Sequence, residues 1–137
     1  MICVAVVSCQ TRPVLWVVPV STVDNLTLGV SEREGSNTPV AVEAIYVYGS
    51  QILGSNDPPV HPIWVAVRNE KEVVTKTSRI RYGETIPGLR VLVEAEPLKD
   101  YIDFKAHVYL RDSRNEMRTA VLWCLNSESG RVTEKWK

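Results

Sequence analysis

Phenylalanine and methionine, the side chains that fill most mixed cores, are nearly missing from this chain: it has one Phe and two Met among 137 residues. Histidine is just as scarce. His61 and His107 are the only two, and neither has a second ligand at a short repeat, so no metal site and no cofactor are expected. The three cysteines, Cys3, Cys9 and Cys124, cannot all pair within one chain, and none forms a C-x-x-C unit. On an extended strand Cys3 and Cys9 would stand about 20 Å apart, which leaves a bridge from Cys124 to one of them, or buried reduced thiols, as the alternatives. A surplus of one charge is missing too. Sixteen basic and sixteen acidic side chains cancel, so no overall field draws the protein to nucleic acid, and none is expected as a partner.

Long apolar runs are absent as well. Val14 to Val20 is interrupted by Pro19 and falls far short of the roughly 20 residues of a spanning helix, so no membrane span is expected. The apolar start, residues 1–9, has no basic residues ahead of its hydrophobic stretch and fits a secretory signal poorly. The glycine-rich phosphate loop, the G-x-S-x-G elbow and the H-E-x-x-H helix do not occur, which weakens those enzyme classes specifically.

What fills the space is valine, about one residue in six, in a chain whose 45% hydrophobic and 23% charged content is that of a folded globular domain. Valine-rich composition favours strands. Between Tyr101 and Arg111, Ile102, Phe104, Ala106, Val108 and Leu110 alternate with polar residues, the period-two pattern of a strand buried on one face. Leu89, Val91, Val93 and Ala95 do the same against Arg90, Glu94 and Glu96, and Pro97 to Asp100 supplies the turn between. Pro39 to Tyr48 and Ile63 to Arg68 read as strands bounded by turn residues. Val73 to Tyr82, carrying Lys76, Arg79 and Arg81, reads as an edge or one-sided strand. Ile2 to Ser8, Val14 to Val20 and Leu26 to Val30 extend the series, and Val132 to Trp136 closes it. Met117 to Leu125 fits helical spacing too, but its strand neighbours and the alternation of Thr119, Val121 and Trp123 favour a strand after a hairpin loop at Asp112 to Glu116.

These pieces make one domain over 1–137, an all-β antiparallel β-sandwich, immunoglobulin-like or jelly-roll-like, with about eight or nine short strands and at most one short helix.

Side chains able to carry chemistry are few. His107 with Asp103 would be the core of a small hydrolase, but no matched nucleophile accompanies them. Glu94 and Glu96, with Asp100 and Asp103 beyond, read as solvated acids, and Thr77, Arg79 and Arg81 as edge protection. Asn25-Leu26-Thr27 matches a glycosylation sequon. Aromatics carry more. Tyr46 and Tyr48 lie near a turn, and Tyr101 and Tyr109 are expected to share an exposed face, from which rings stack on sugars or anchor a protein. Ile2, Val4 and Val6 lie in an apolar segment suited to pairing with a partner's sheet edge.

Pro39-Val-Ala-Val-Glu-Ala-Ile-Tyr-Val-Tyr-Gly49, then Thr85-Ile-Pro-Gly88 and the alternating strands to Arg111, resemble immunoglobulin-like β-sandwich domains of archaeal surface filaments and archaellum stator proteins. The hydrophobic N-terminal assembly helix of archaeal pilins is missing, and no functional residue carries over. The resemblance implies a role in extracellular assembly, in which sheet edges or an apolar N-terminal strand pair with a neighbour; the expected location is extracellular or the virion surface. The expectation is a non-enzymatic structural or interaction module, a filament or virion subunit partnered by protein, including copies of itself. A carbohydrate-binding sandwich is the alternative.

Overall fold

The computed structural model describes residues 13–33, 36–50, 61–73 and 76–135. Among these residues ten strands form two antiparallel sheets. The smaller is β1 (Val14–Val17), β2 (Thr27–Ser31) and β6 (Arg79–Arg81), in the order β1-β2-β6. The larger contains β3 (Val40–Ser50), β4 (His61–Arg68), β7 (Leu89–Val93), β8 (Asp103–Arg111), β9 (Met117–Asn126) and β10 (Val132–Glu134), in the order β10-β9-β8-β3-β4-β7. β5 (Lys76–Thr77) joins it beside Val40 and Ala41 of β3.

Alternation builds the core. Along β8 every second residue, Phe104, Ala106, Val108 and Leu110, is buried, while those between face outward. Val42, Ile45 and Val47 of β3, Trp64 of β4 and Ala120, Leu122 and Cys124 of β9 extend the same layer. Leu15, Leu28, Val30 and Ile80 of the smaller sheet cover it, so one apolar layer lies between two sheets. Each large aliphatic or aromatic side chain buried there contributes about 1.5–3 kcal/mol, before the entropy of ordering is counted. One end of the sandwich is laced by backbone bonds: Val23 N–H donates to the Gly130 carbonyl at 2.9 Å, and Val132 N–H to that of Ser21 at 3.1 Å. This fixes the β1–β2 turn against β10.

The all-β sandwich is the expected one, and Met117–Asn126 is a strand, after the loop at Asp112 to Glu116 in which Asn115 takes a positive φ of 61°. Three details differ. The segment Val73 to Tyr82 is not one edge strand: it pairs through β5 with the larger sheet, then through β6 with the smaller, crossing at Ser78. The alternation of Leu89 to Ala95 fails because a bulge opposite Val65 and Ala66 sets Leu92 out of register, leaving Val91 42% and Leu92 53% exposed on a strand that, among the described residues, pairs only with β4. The face of β8 does not extend back to Tyr101. A 3₁₀ turn at Leu98–Asp100 intervenes, so Tyr101 enters the core and is 1% exposed instead of standing outside beside Tyr109. Its hydroxyl donates to Glu96 Oε1 at 2.9 Å, and its ring covers Gly49.

Cys124 is a fully buried free thiol, so the alternative of a bridge from it is not realised. Desolvation first, and then Glu134, pushes its pKa up to about 12, which keeps it protonated and inert. Cys3 and Cys9 lie outside the described residues.

Candidate functional site

The outer face of the larger sheet is the place where side chains able to recognise something gather. Register sets them in a grid. Tyr46 of β3 stands opposite His107 of β8, and Tyr48 opposite Lys105. Across β8 and β9, Tyr109 meets Thr119, His107 meets Val121 and Lys105 meets Trp123. On the other flank Val65 and Val67 of β4 stand beside Tyr46 and Ala44. Strands pleated with period two send all these side chains to the face opposite the core.

The rings touch. Tyr46 and Tyr48 stack at 6.4 Å between centroids, Tyr46 and Tyr109 meet at 5.8 Å and 83°, and Tyr48 and His107 meet at 5.7 Å and 81°. At one end the Lys105 ammonium lies 4.9 Å from the Trp123 ring centroid and 5.7 Å from that of Tyr48. Lys135, which donates to Asp103 Oδ2 at 2.9 Å, lies 5.5 Å from the same indole. These ammonium groups on aromatic faces hold the long side chains down against the sheet.

The cluster also sets its own electrostatics. Desolvation, and then the Lys105 charge, lowers the pKa of His107, so the imidazole stays neutral in a place where its Nε2 is buried without a partner among the described residues. Desolvation, followed by Tyr109 and Tyr46, raises that of Tyr48, keeping the phenol protonated.

At the opposite end lies a polar rim. Val42 of β3 pairs with Leu110 and Ala44 with Tyr109, so Glu43 is the extra residue of a bulge and points outward with Ala44. Its side chain, 10% exposed, takes two arginines on one oxygen: Arg111 Nε donates to Oε1 at 2.8 Å and Arg68 Nη1 at 3.2 Å. Beside this triad, Tyr46 and Tyr109 wall a groove of ≈ 500 Å³, with Glu70 also lining it. A second bowl beyond the triad, ≈ 670 Å³, is lined by Thr38, Lys76 and Asn115 among others. Nearby, Asp112 is held by Arg118 and by the backbone N–H groups of Arg114 and Glu116, a network that closes the β8–β9 hairpin.

Of the residues singled out in the sequence, Tyr46, Tyr48 and Tyr109 come together on this face, whereas Tyr101 is in the core. Ile2, Val4 and Val6 lie outside the described residues, as does the side chain of His61. His107 and Asp103 share a face but sit four residues apart on one strand, about 13 Å by the strand rise, and Asp103 is engaged with Lys135. They do not form an acid–base pair. Glu96 accepts the Tyr101 hydroxyl, and Glu94, Arg79 and Arg81 are exposed. Asn25 is exposed in the turn after Thr22. Glu43, Arg68, Arg111 and Trp123 are the residues that sequence reasoning missed. One local signal for the first exists: two consecutive non-core positions, Glu43 and Ala44, interrupt the alternation between Val42 and Ile45.

Among the described residues there is no group of three metal-ligating side chains and no helix long and apolar enough to cross a membrane. Comparison with known proteins finds no matching family, no matching curated protein and no matching solved structure.

Proposed function

We propose that this chain is a non-enzymatic structural module that assembles with copies of itself through sheet edges, with β7 as the acceptor edge and the apolar stretch Ile2 to Val7 of a neighbouring copy as the donor. The observation that carries this reading is the contrast of β7 with β6 and with the β10 end. β6 presents Arg79 and Arg81, both exposed, and the β10 end is laced to Ser21–Val23 by backbone bonds. β7 presents Val91 and Leu92, 42% and 53% exposed, with Arg90 its one charge. Edges left apolar and uncovered are templates for another strand.

Reach favours donation between chains. β1 packs over β9 and β10, whereas a strand added outside β7 stands five strand spacings from β9, roughly 24 Å. The six steps from Val7 to Pro13 span at most about 22 Å, even fully extended. That is less than the distance to be crossed, so the reading takes the donor from a neighbouring copy. β1, which follows the donor in sequence, and the acceptor β7 lie toward opposite ends of the larger sheet, so each added copy exposes a fresh edge. Such head-to-tail contact gives an open filament unless the rotation closes a ring, which fits a filament or virion subunit.

Cysteine scanning tests this on the full chain. With Cys9→Ser in place, cysteines are introduced singly as Arg90→Cys, Val91→Cys and Leu92→Cys, and the products of mild oxidation are mapped by mass spectrometry. The expected result is a disulfide ladder joining Cys3 of one copy to β7 of the next, and loss of the oligomers in sedimentation with Leu92→Lys. Links confined to single chains, or a monomer at every concentration, refute the proposal.

A further inference from the structure

We propose that the groove between Tyr46, Tyr109 and the Glu43 triad is a binding site for a neutral saccharide, a function separate from edge assembly because β7 contributes none of its residues. Three features of the groove specify the ligand. The first is shape: two rings meeting at 83° form a corner, and the ≈ 500 Å³ it borders lies in the ordinary size range of small-ligand sites. A pyranose carries a C–H face that packs on an aromatic ring, and both rings are only partly covered.

The second is the way the triad spends its hydrogen bonds. Both arginines converge on Glu43 Oε1, through Arg68 Nη1 and Arg111 Nε. Arg111 Nη1 goes on to the Asn115 carbonyl at 3.1 Å. Glu43 Oε2 thus has no hydrogen-bond partner among the described residues, and neither do Arg68 Nε and Nη2 or Arg111 Nη2. The triad therefore brings to the groove it lines an unbonded carboxylate oxygen and unbonded guanidinium N–H groups. A vicinal diol is complementary to that pair, since each hydroxyl both donates, here to the carboxylate, and accepts, here from a guanidinium. A group that only accepts, such as phosphate or sulfate, would leave the carboxylate facing it.

The third is charge. Glu43 and Glu70 balance Arg68 and Arg111 around the groove, so neither an anionic nor a cationic ligand is favoured and an uncharged one is. The Val42/Ala44 bulge produces this arrangement, because it turns Glu43 out of the pleat beside Arg111. Bulges that re-aim a polar side chain are characteristic of binding sites.

The test is calorimetric titration of the full chain with a panel of neutral disaccharides covering gluco-, galacto- and manno-configurations in α and β linkage, alongside a uronic-acid disaccharide. Saturable binding of at least one neutral member is expected, with the uronate no tighter. Tyr109→Ala and Glu43→Gln should each weaken it about tenfold, the loss of one ring contact or one charged hydrogen bond. Tyr109→Phe, which keeps the ring, should retain it. If Tyr109→Ala fails to fold, Tyr109→Leu takes its place. No saturable binding by any neutral member overturns the proposal, as does binding that survives both substitutions. Oligomers that dissolve with Tyr109→Ala while no sugar binds would assign the face to a protein and equally overturn it. Edge assembly is judged by the β7 crosslinks and by Leu92→Lys, so either proposal can fail without the other.

Discussion

Replacing Gly49 with alanine is a small change in composition and a large one in space. Gly49 lies on the core side of β3, and a Cβ there would stand 2.5, 2.8 and 2.9 Å from three atoms of the Tyr101 ring. Carbon atoms rest at about 3.5–4.0 Å, so ring and strand must part by about 1 Å. The ring has little freedom to give way. It is 1% exposed, its hydroxyl is tied to Glu96, and the backbone carbonyl of Tyr101 accepts from Asn126 Nδ2 at 3.1 Å. Overpacking of this kind costs about 1–3 kcal/mol. Restricting the unfolded chain returns about 0.4–1 kcal/mol, so a net loss of about 1–2 kcal/mol is expected. Chemical denaturation with a constant m-value would report it as a lower midpoint. The deciding measurement is a double-mutant cycle with Tyr101→Leu. In that background the added methyl meets a smaller side chain, and Gly49→Ala should become close to neutral. An equal cost in both backgrounds would show that the ring is not what excludes a side chain, and the reasoning would fail.

Acid should act in two separate windows. His107 has a folded pKa below its ordinary 6.5, so the unfolded chain binds the proton first and stability falls as pH drops from 6.5 toward the folded value; His107→Gln should flatten that limb in denaturation measured across pH. Asp112 is held below 3.8, first by the Glu116 N–H and then by Arg118. Its contribution is complete above 3.8 and is lost as pH falls through the folded value, so Asp112→Asn should lower the melting temperature at neutral pH and reduce the loss in strong acid. In a Cys3→Ser, Cys9→Ser chain, Cys124 should resist thiol reagents near pH 8 until denaturant unfolds the protein. Labelling of the folded form at the rate of a free thiol would refute its burial. Gly29→Ala, whose Cβ would overlap the Trp16 ring, should displace that indole, lowering the melting temperature more than Gly29→Ala does in a Trp16→Val chain.

The sandwich was legible in the sequence because alternation is local: the residues of β8 state which face is buried without reference to any other strand. Tyr101 was misread for the same reason. Its position continues the alternation in number, but the 3₁₀ turn at Leu98–Asp100 resets the direction of the chain before β8 begins. A three-residue turn leaves no periodic trace. The exposed residues of β7 were obscured by a comparable break, since a bulge shifts the phase of every position beyond it.

The candidate site was half legible, and the division follows the physics of sheets. Tyr46 and Tyr48 are two apart and must share a face wherever the strand lies. That Tyr109 joins them, that Lys105 reaches Trp123 and that Arg68 meets Arg111 across Glu43 all depend on which strand pairs with which and in what register. Those pairings are set by the core side, where Ile45 must meet Val108 and Ala66. The outer face inherits its neighbours from a register chosen by packing beneath it. An outer face free of that selection would carry threonines and charges. Here it carries three tyrosines, a tryptophan and an imidazole, and one irregularity in β3 delivers a carboxylate to two guanidinium groups. The core is satisfied without any of them, which is why the proposal of a ligand rests on this face.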